Sequence, residues 1–311
     1  MSCRVGPVIL GYGAGAPADI ARLVDELSRE GVDRACITVV HNPSAAAAEL
    51  KDSPPGVRII NAERNLGYAG GMNLGIRPQL LEQVPYVLLL TQDVHLEPGV
   101  IERLLDAADL APRYGVLGPR LRWEGRSTIL NFGGRWSATG AGRLVDARPA
   151  DDDGDGIVPC DYVDGAIVLF RSELLAKVGL MSERFFMYFE ESELCLRAKR
   201  AGWEVGVVLE AEAAQSSGET KRPGAFSYLM ARNGLEFARL VGGRPAVLAS
   251  IGRDVAQSFR LVKMRFSPKS DQGRRGIASA SLIALWMGVL AYFRGRWGPP
   301  PADVPGLGDV G

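Results

Sequence analysis

The strongest constraint on the fold is an alternation of short apolar runs and amphipathic stretches, repeated from Val8 to about Leu209. Val8-Ile9-Leu10 ends at Gly11, and Ile20, Leu23, Val24 and Leu27 then fall at i, i+3, i+4 and i+7 before Gly31. That spacing is one face of a helix. Residues 35–40, 57–60 and 86–90 are further apolar runs, and Val100, Ile101, Leu104 and Leu105 form the face of the next helix. Runs that are apolar throughout suit strands covered on both faces, and strands alternating with helices predict an α/β chain with a mainly parallel sheet. Residues 161–170 read as another buried strand, 172–178 as a short helix, and 190–201 as a longer helix closed by Gly202. Between them, residues 119–159 are rich in Gly, Arg and Asp, which predicts hairpins and a loop with an acidic turn at 151–156.

Polar residues gather at the ends of these runs. His41-Asn42, Asn65 and Asp93 each follow the carboxyl end of a different strand. In an open α/β sheet that edge carries the binding crevice. The whole chain balances 36 Lys and Arg against 36 Asp and Glu, so no global field favours nucleic acid. Cys3, Cys36, Cys160 and Cys195 are far apart and form no paired motif, and with two histidines they make no structural zinc site. Buried thiols are the expectation. The first residues lack the apolar core of a secretory signal, so the expected location is cytoplasmic.

The style changes after about Gly243. Residues 277–293 carry no charge and lie between Arg274-Arg275 and Arg294-Arg296. Seventeen residues is the lower edge of a membrane span, and buried, interfacial and spanning helices all fit. The expected division is a domain over 1–243, a helical extension over 244–298 that touches the membrane peripherally, and a disordered Pro/Gly-rich tail over 299–311.

Four segments could carry chemistry. Gly11-Tyr12-Gly13-Ala14-Gly15-Ala16 fits a dinucleotide fingerprint, but the second strand ends at His41 instead of the acidic residue that would hold a ribose. Residues 65–75, Asn-Leu-Gly-Tyr-Ala-Gly-Gly-Met-Asn-Leu-Gly, read equally as a ligand-approaching loop and as a glycine-rich helix packed on the sheet. In Thr91-Gln92-Asp93-Val94-His95, a carboxylate and an imidazole two residues apart could share a divalent cation, while Asp93 could equally cap a helix. Glu190, Glu191 and Glu193 open a helix after Phe185-Phe186-Met187-Tyr188-Phe189. Aromatic neighbours raise a carboxyl pKa by desolvation and the helix dipole lowers it. Glu190 and Glu193 share a helix face, and Glu191 points elsewhere.

Taken in order, these segments resemble family 2 glycosyltransferases, especially the bacterial rhamnosyltransferase-like branch, from about Val8 to Leu240. The sharpest match is Asp164-Gly165-Ala166, then Val178-Gly179, then residues 183–197, then Ala201-Gly202-Trp203. Tyr228 with Arg232-Asn233 is similar to a further family motif. The resemblance implies a GT-A fold, Rossmann-like with a mixed sheet, and an inverting single displacement on a nucleotide-sugar. It implies Glu191 as catalytic base, with Glu190 and Glu193 as supporting or alternative carboxylates. It places Tyr12, His41, Asn42, Asn65, Gly67, Asn73, Gln92 and Asp93 at the donor, and Asp164, Gly165 and Ala166 beside the donor sugar and acceptor. It implies Mg²⁺ or Mn²⁺ at Asp93, and the carboxylate–imidazole spacing of residues 93–95 adds His95 as the candidate second ligand. The implied donor is dTDP- or UDP-linked, with rhamnose favoured, and the implied acceptor is a glycan, a lipid-linked glycan or a small molecule. Three departures stand out: His41 replaces a base-reading Asp, Thr91 replaces the first Asp of the metal motif, and Gln215 stands where the family commonly has His. The rival readings are a catalytically weak sugar-nucleotide-binding scaffold and an NAD(P)-binding oxidoreductase.

Overall fold

The computed structural model describes every residue except 1–2, 14, 45–49, 51–53, 127–128, 132, 145–153, 217–221, 268–270 and 308–311. Of the expected acidic turn, residues 151–153 therefore lie outside the described residues. The strands are β1 (Val5–Tyr12), β2 (Thr38–Asn42), β3 (Arg58–Asn61), β4 (Tyr86–Thr91), β5 (Val94–Leu96), β6 (Tyr114–Trp123), β7 (Ile129–Asn131), β8 (Gly134–Trp136), β9 (Gly142–Leu144), β10 (Ile157–Pro159), β11 (Ile167–Arg171) and β12 (Glu204–Gln215). The helices are α1 (Ala16–Arg29), α2 (Gly67–Leu81), α3 (Val100–Leu110), α4 (Ser172–Val178), α5 (Glu190–Arg200), α6 (Pro223–Phe266) and α7 (Gln272–Phe293). The chain forms two compact units. The first comprises Met1–Arg135, Arg143–Ser182 and Glu190–Ser217, and the second comprises Trp136–Gly142, Glu183–Phe189 and Gly218–Gly311. The expected boundary at 243 instead falls at a break inside α6.

The first unit is built on a mixed sheet in the order β10-β12-β6-β11-β4-β1-β2-β3. β1 pairs in parallel with both β2 and β4, and β2 with β3, so Tyr12, Asn42, Asn61 and Thr91 end on one edge. β11 runs antiparallel to β4, with Ile167 opposite Leu90, which brings residues 164–166 to that same edge. Residues 161–166, expected as strand, form a loop there, because Asp164 Oδ1 accepts the Ala166 N–H at 2.9 Å and turns the chain. α1 buries Ile20, Leu23, Val24 and Leu27 completely, the four residues marked by its spacing. Each such side chain contributes about 1.5–3 kcal/mol on leaving water.

The glycine run of residues 65–75 resolves as α2 lying flat on the sheet. A Cβ on Gly75 would come within 2.2 Å of Val8 Cγ1, and one on Gly71 within 2.5 Å of Leu10 Cδ1. β2 starts at Thr38, later than expected, because a 3₁₀ turn takes Arg34–Cys36 and Asp33 caps it by accepting the Ala35 N–H. Cys3 and Cys36 are joined in a disulfide, which corrects the expectation of thiols at all four positions. The two cysteines stand just ahead of β1 and β2, and parallel pairing of those strands brings the preceding residues together. Cys160 and Cys195 are buried thiols.

The second unit is helical. α6 is broken at Gly242–Gly243, where Gly243 takes φ 65°, ψ −151°, a conformation open to glycine, and Pro245 follows. α6 and α7 pack closely, since a Cβ on Gly288 would lie 2.2 Å from the Tyr228 carbonyl oxygen. Along α7, Ala278, Ser281, Ala284, Leu285, Gly288 and Val289 are buried. Ile277, Ile283, Trp286, Leu290 and Phe293 are exposed. The tail departs from the expectation of disorder over its described part. Val304 is buried with Phe186, Tyr228 and Leu229, and the Gly306 carbonyl accepts the Gly224 N–H at 2.9 Å.

Candidate active site

The carboxyl edge of the sheet gathers Asp93, Asp164, Glu191 and Tyr68 in the first unit. Glu191 stands in the first turn of α5 and is partly buried. Burial pushes its carboxyl up to about 7, and the nearby Asp164 charge adds to the rise. Burial also raises Asp164, with Asp93 contributing, which places these two carboxylates in each other's field. A carboxylate that titrates near neutrality is suited to take a proton.

Tyr68 was not among the expected site residues, yet it lies at the centre of this group. Its hydroxyl donates to the Gly165 carbonyl at 2.5 Å. Its own ionisation is strongly suppressed by burial and then by the charges of Glu190, Glu191 and Asp164. A Cβ on Gly165 would lie 3.3 Å from the Tyr68 hydroxyl and 3.7 Å from Glu191 Cγ, so this backbone stands in contact range of both side chains. Tyr162 belongs to the same environment, its phenol raised by burial and by Glu191 and Asp164. The signal for Tyr68 was its place in the glycine run of residues 65–75, where a single large polar ring is conspicuous.

The other expected carboxylates divide. Glu190 is buried and acts on Tyr68 through its charge. Glu193 is bound at both oxygens by Arg197, at 2.8 Å each, and Arg197 also holds the Leu180 carbonyl. Glu193 therefore anchors α5 to the 178–180 turn and is not placed as a base.

Several expected donor contacts are structural. Asn73 is 1% exposed, and its amide exchanges both hydrogen bonds with the Met181 backbone, at 2.9 and 3.1 Å. It is spent on joining α2 to that segment, which corrects its assignment to the donor. Asn42 donates to the Gly67 carbonyl at 2.7 Å and accepts the Leu66 N–H at 3.2 Å, while Asn65 accepts the Gly67 N–H at 2.9 Å. These two asparagines fix the entry to α2. Gln92 brackets the Tyr12 backbone, accepting its N–H at 2.7 Å and donating to its carbonyl at 3.2 Å. His41 is 1% exposed inside β2. Tyr12 and Gly67 stand at the edge, Tyr12 at the end of β1 and Gly67 at the start of α2.

The residues present do not fit a divalent ion held by this chain. Asp93 Oδ1 accepts the Thr91 hydroxyl at 2.5 Å, and Asp93 Oδ2 accepts the Gln215 amide at 3.0 Å. Thr91 and Gln215 are two of the departures noted in the sequence, and both place hydrogen-bond donors on the carboxylate where ligands would have joined it. His95 is not joined to Asp93. β5 pairs with β12, and the imidazole lies 3.1 Å from the Ser216 hydroxyl, 3.4 Å from Glu124 and 3.8 Å from Glu26. Among the described residues no group of three His, Cys, Asp or Glu side chains gathers for a metal.

In the second unit, the segment that leads into Glu190 has an unusual backbone. Phe186, Tyr188 and Phe189 take φ of 66°, 72° and 75°, a region unfavourable for aromatic residues. Asn233 holds that turn. Its amide nitrogen lies 2.9, 2.8 and 2.9 Å from the carbonyls of Phe185, Met187 and Tyr188, and its oxygen accepts from Arg232. Arg232 donates to the Phe185 carbonyl as well, at 3.0 Å. Arg232 and Asn233 of the tyrosine, arginine and asparagine motif thus hold the chain immediately before Glu190.

Comparison with known proteins agrees with this architecture. A family model described as "Glycosyltransferase like family 2" matches residues 14–234. The low-salt glycan biosynthesis hexosyltransferase Agl10 of Haloferax volcanii is 30% identical over 193 residues, 60% of each chain. The N-acetylglucosaminyl-diphospho-decaprenol L-rhamnosyltransferase of Mycobacterium tuberculosis is 31% identical over 176 residues, 48% of this chain and 55% of the relative. The chain thus spans somewhat over half the length of these curated relatives. Among solved structures, the mannosyltransferase PcManGT from Pyrobaculum calidifontis, in complex with GDP-Man and Mn²⁺, superposes with a TM-score of 0.54 at 12% identity, covering 95% of this chain and 88% of that one. TarS 1–349 of S. aureus gives 0.52 at 12% identity, over 95% and 92%. At such identity the likeness is one of fold, and it agrees with the GT-A architecture expected from the motifs. The match across residues 14–234, together with the ordered motifs from Asn65 to Trp203, establishes that this chain belongs to the glycosyltransferase-like family 2.

Proposed function

We propose that the protein is an inverting glycosyltransferase that moves a sugar from a dTDP- or UDP-linked donor, with rhamnose favoured, to a hydroxyl of a lipid-linked glycan. The observation that carries the reading is the Glu191 carboxyl, raised to about 7 beside Asp164 and Tyr68 at the carboxyl edge of the sheet. In the transfer, the acceptor oxygen forms a bond to the anomeric carbon from the face opposite the leaving group. The bond from that carbon to the diphosphate oxygen breaks with its electron pair, and the acceptor proton passes to Glu191. Tyr68 holds the Gly165 carbonyl, which keeps the Asp164–Ala166 loop open for the sugar. With both Asp93 oxygens already held by donors, transfer proceeds without a resident divalent ion.

Calorimetry with dTDP, UDP, GDP and NADH, each with Mn²⁺ or with a chelator, tests donor class and metal use together. One nucleoside diphosphate is expected to bind with an affinity that Mn²⁺ changes by less than about twofold. Thr91→Asp with Gln215→His is expected to create a Mn²⁺ dependence of about tenfold or more, because it restores two ligands beside Asp93. Binding of NADH alone would return the chain to the oxidoreductase class, and a nucleotide that binds without any transfer to acceptors would favour the scaffold reading. Mn²⁺-enhanced binding by the unaltered protein would reject the metal-free site.

A lipid-linked acceptor is favoured by the second unit. Residues 244–298 carry ten Lys and Arg against Asp254 and Asp271, in a chain that is balanced as a whole. Leu248, Val255, Phe259, Val262 and Phe266 fall on one face of α6, spaced by 7, 4, 3 and 4 residues, and all are exposed, Phe259 and Phe266 at 72% each. A cationic unit with an exposed apolar stripe fits an anionic bilayer surface. The protein is expected to sediment with phosphatidylglycerol vesicles and not with phosphatidylcholine vesicles. That binding should fall as salt rises from about 0.1 M to about 1 M and the Debye length shrinks from about 10 to about 3 Å. Phe259→Glu with Phe266→Glu should release it, and equal binding to neutral vesicles would refute the electrostatic contribution.

A further inference from the structure

The second unit contains a cleft of about 610 Å³ that the catalytic reading does not use. Its walls include Val247, Leu248, Ile251 and Phe293, and its rim carries Arg184, Arg239 and Arg244. The break at Gly242–Gly243 lies between two of its arginines, Arg239 before it and Arg244 after it. Glu236, with a side chain 5% exposed, pairs with Arg239 at 2.9 Å and with Arg184 at 3.5 Å. Arg184 also stacks over the Trp297 ring at 4.2 Å. Three guanidiniums thus stand against one carboxylate, and the surplus charge faces an apolar trough. Leu248 is both in this wall and on the exposed apolar face of α6, so the trough adjoins the surface proposed to meet the bilayer, and Phe293 is exposed beside it.

We propose that this cleft seats one molecule of an anionic, single-chain amphiphile, with a phosphate or diphosphate head at the arginines and the first part of an aliphatic tail along Leu248, Ile251 and Phe293. Guanidinium forks match phosphate oxygens in geometry and charge. The volume suits a head and the start of a tail. A free phosphate would leave the apolar wall in water, and a neutral lipid would leave the arginine surplus unmatched. The assignment rests on the transferase reading, since it makes the cleft the holder of the acceptor's lipid end.

Calorimetry with farnesyl diphosphate, farnesol and inorganic diphosphate tests it. Farnesyl diphosphate is expected to bind about tenfold or more tightly than either of the others. Arg244→Glu and Leu248→Glu, both at exposed positions, should each weaken it by about tenfold while leaving dTDP and UDP binding and the melting temperature unchanged. Equal binding of farnesol, or unaltered binding to both variants, would overturn the site. Displacement of farnesyl diphosphate by phosphatidylglycerol vesicles at equal lipid concentration would also overturn it, by showing a surface for bilayer headgroups generally. A protein that binds farnesyl diphosphate but no nucleoside diphosphate would keep the cleft and sink the transferase reading instead.

Discussion

Glu191→Gln is expected to lower the turnover of sugar transfer by about a thousandfold, within the range general-base catalysis supplies, while nucleotide affinity changes by less than about twofold. The substitution keeps shape and removes basicity. In the unaltered protein, kcat/KM should rise with pH and level off above about 7, because Glu191 must be ionised to accept the proton and its carboxyl titrates there. The variant's residual rate should lose that inflection. Stability moves the opposite way. A carboxyl raised above its unfolded value stabilises the fold while it stays protonated. That contribution is complete below the unfolded pKa and is lost as pH rises toward about 7. Glu191→Gln should therefore melt higher than the unaltered protein at pH 8, with the gap closing near pH 4. Turnover near the original level, or an inflection that persists at about 7, would move the base to another carboxylate, with Glu190 first in line by position.

What the sequence makes legible follows from which properties are local. The alternation of apolar runs and helical faces is local, so β4, α4 and α5 stand within a residue of the expected spans, and α1 and α3 contain the faces read from their spacing. The polar edge of the sheet was legible for the same reason, since His41-Asn42, Asn65 and Asp93 all come after the carboxyl ends of strands in one sheet. The roles of Asn42, Asn73 and Gln92 were not, because an amide that braces the backbone and one that reads a ligand are the same residue in sequence. Only the partners, Gly67, Met181 and Tyr12, separate the two cases. His95 was misplaced because the pairing of β5 with β12 spans over a hundred residues, and no local pattern announces it. The Cys3–Cys36 bond depends in the same way on two strands becoming neighbours. Thr91 and Gln215 were visible as departures from the family pattern. That both donate to Asp93 is a property of the assembled site.

Asn233→Ala is expected to cost about a hundredfold in turnover, although Asn233 touches neither sugar nor nucleotide in the proposed mechanism. Three aromatic residues before Glu190 sit at positive φ, each at a cost of about 1–3 kcal/mol that surrounding contacts must offset. The Asn233 amide nitrogen shares its two N–H donors among the three carbonyls, and Ala would take that donor from the Met187 and Tyr188 carbonyls while the Phe185 carbonyl keeps Arg232, with a lost buried hydrogen bond costing about 1–3 kcal/mol. The turn should then relax toward negative φ, and because Phe189 is only two residues from Glu191, the base shifts with it. A displacement of about an ångström is enough to cost a hundredfold in a reaction that depends on alignment. The pH profile separates positioning from general loss of stability. If the relaxed turn exposes Glu191 to water, its carboxyl falls from about 7 toward an ordinary glutamate, and the inflection in kcat/KM moves down with it. A merely destabilised protein would keep the inflection at about 7 in whatever fraction remains folded, and that result, or turnover near the original value, would deny Asn233 the positioning role.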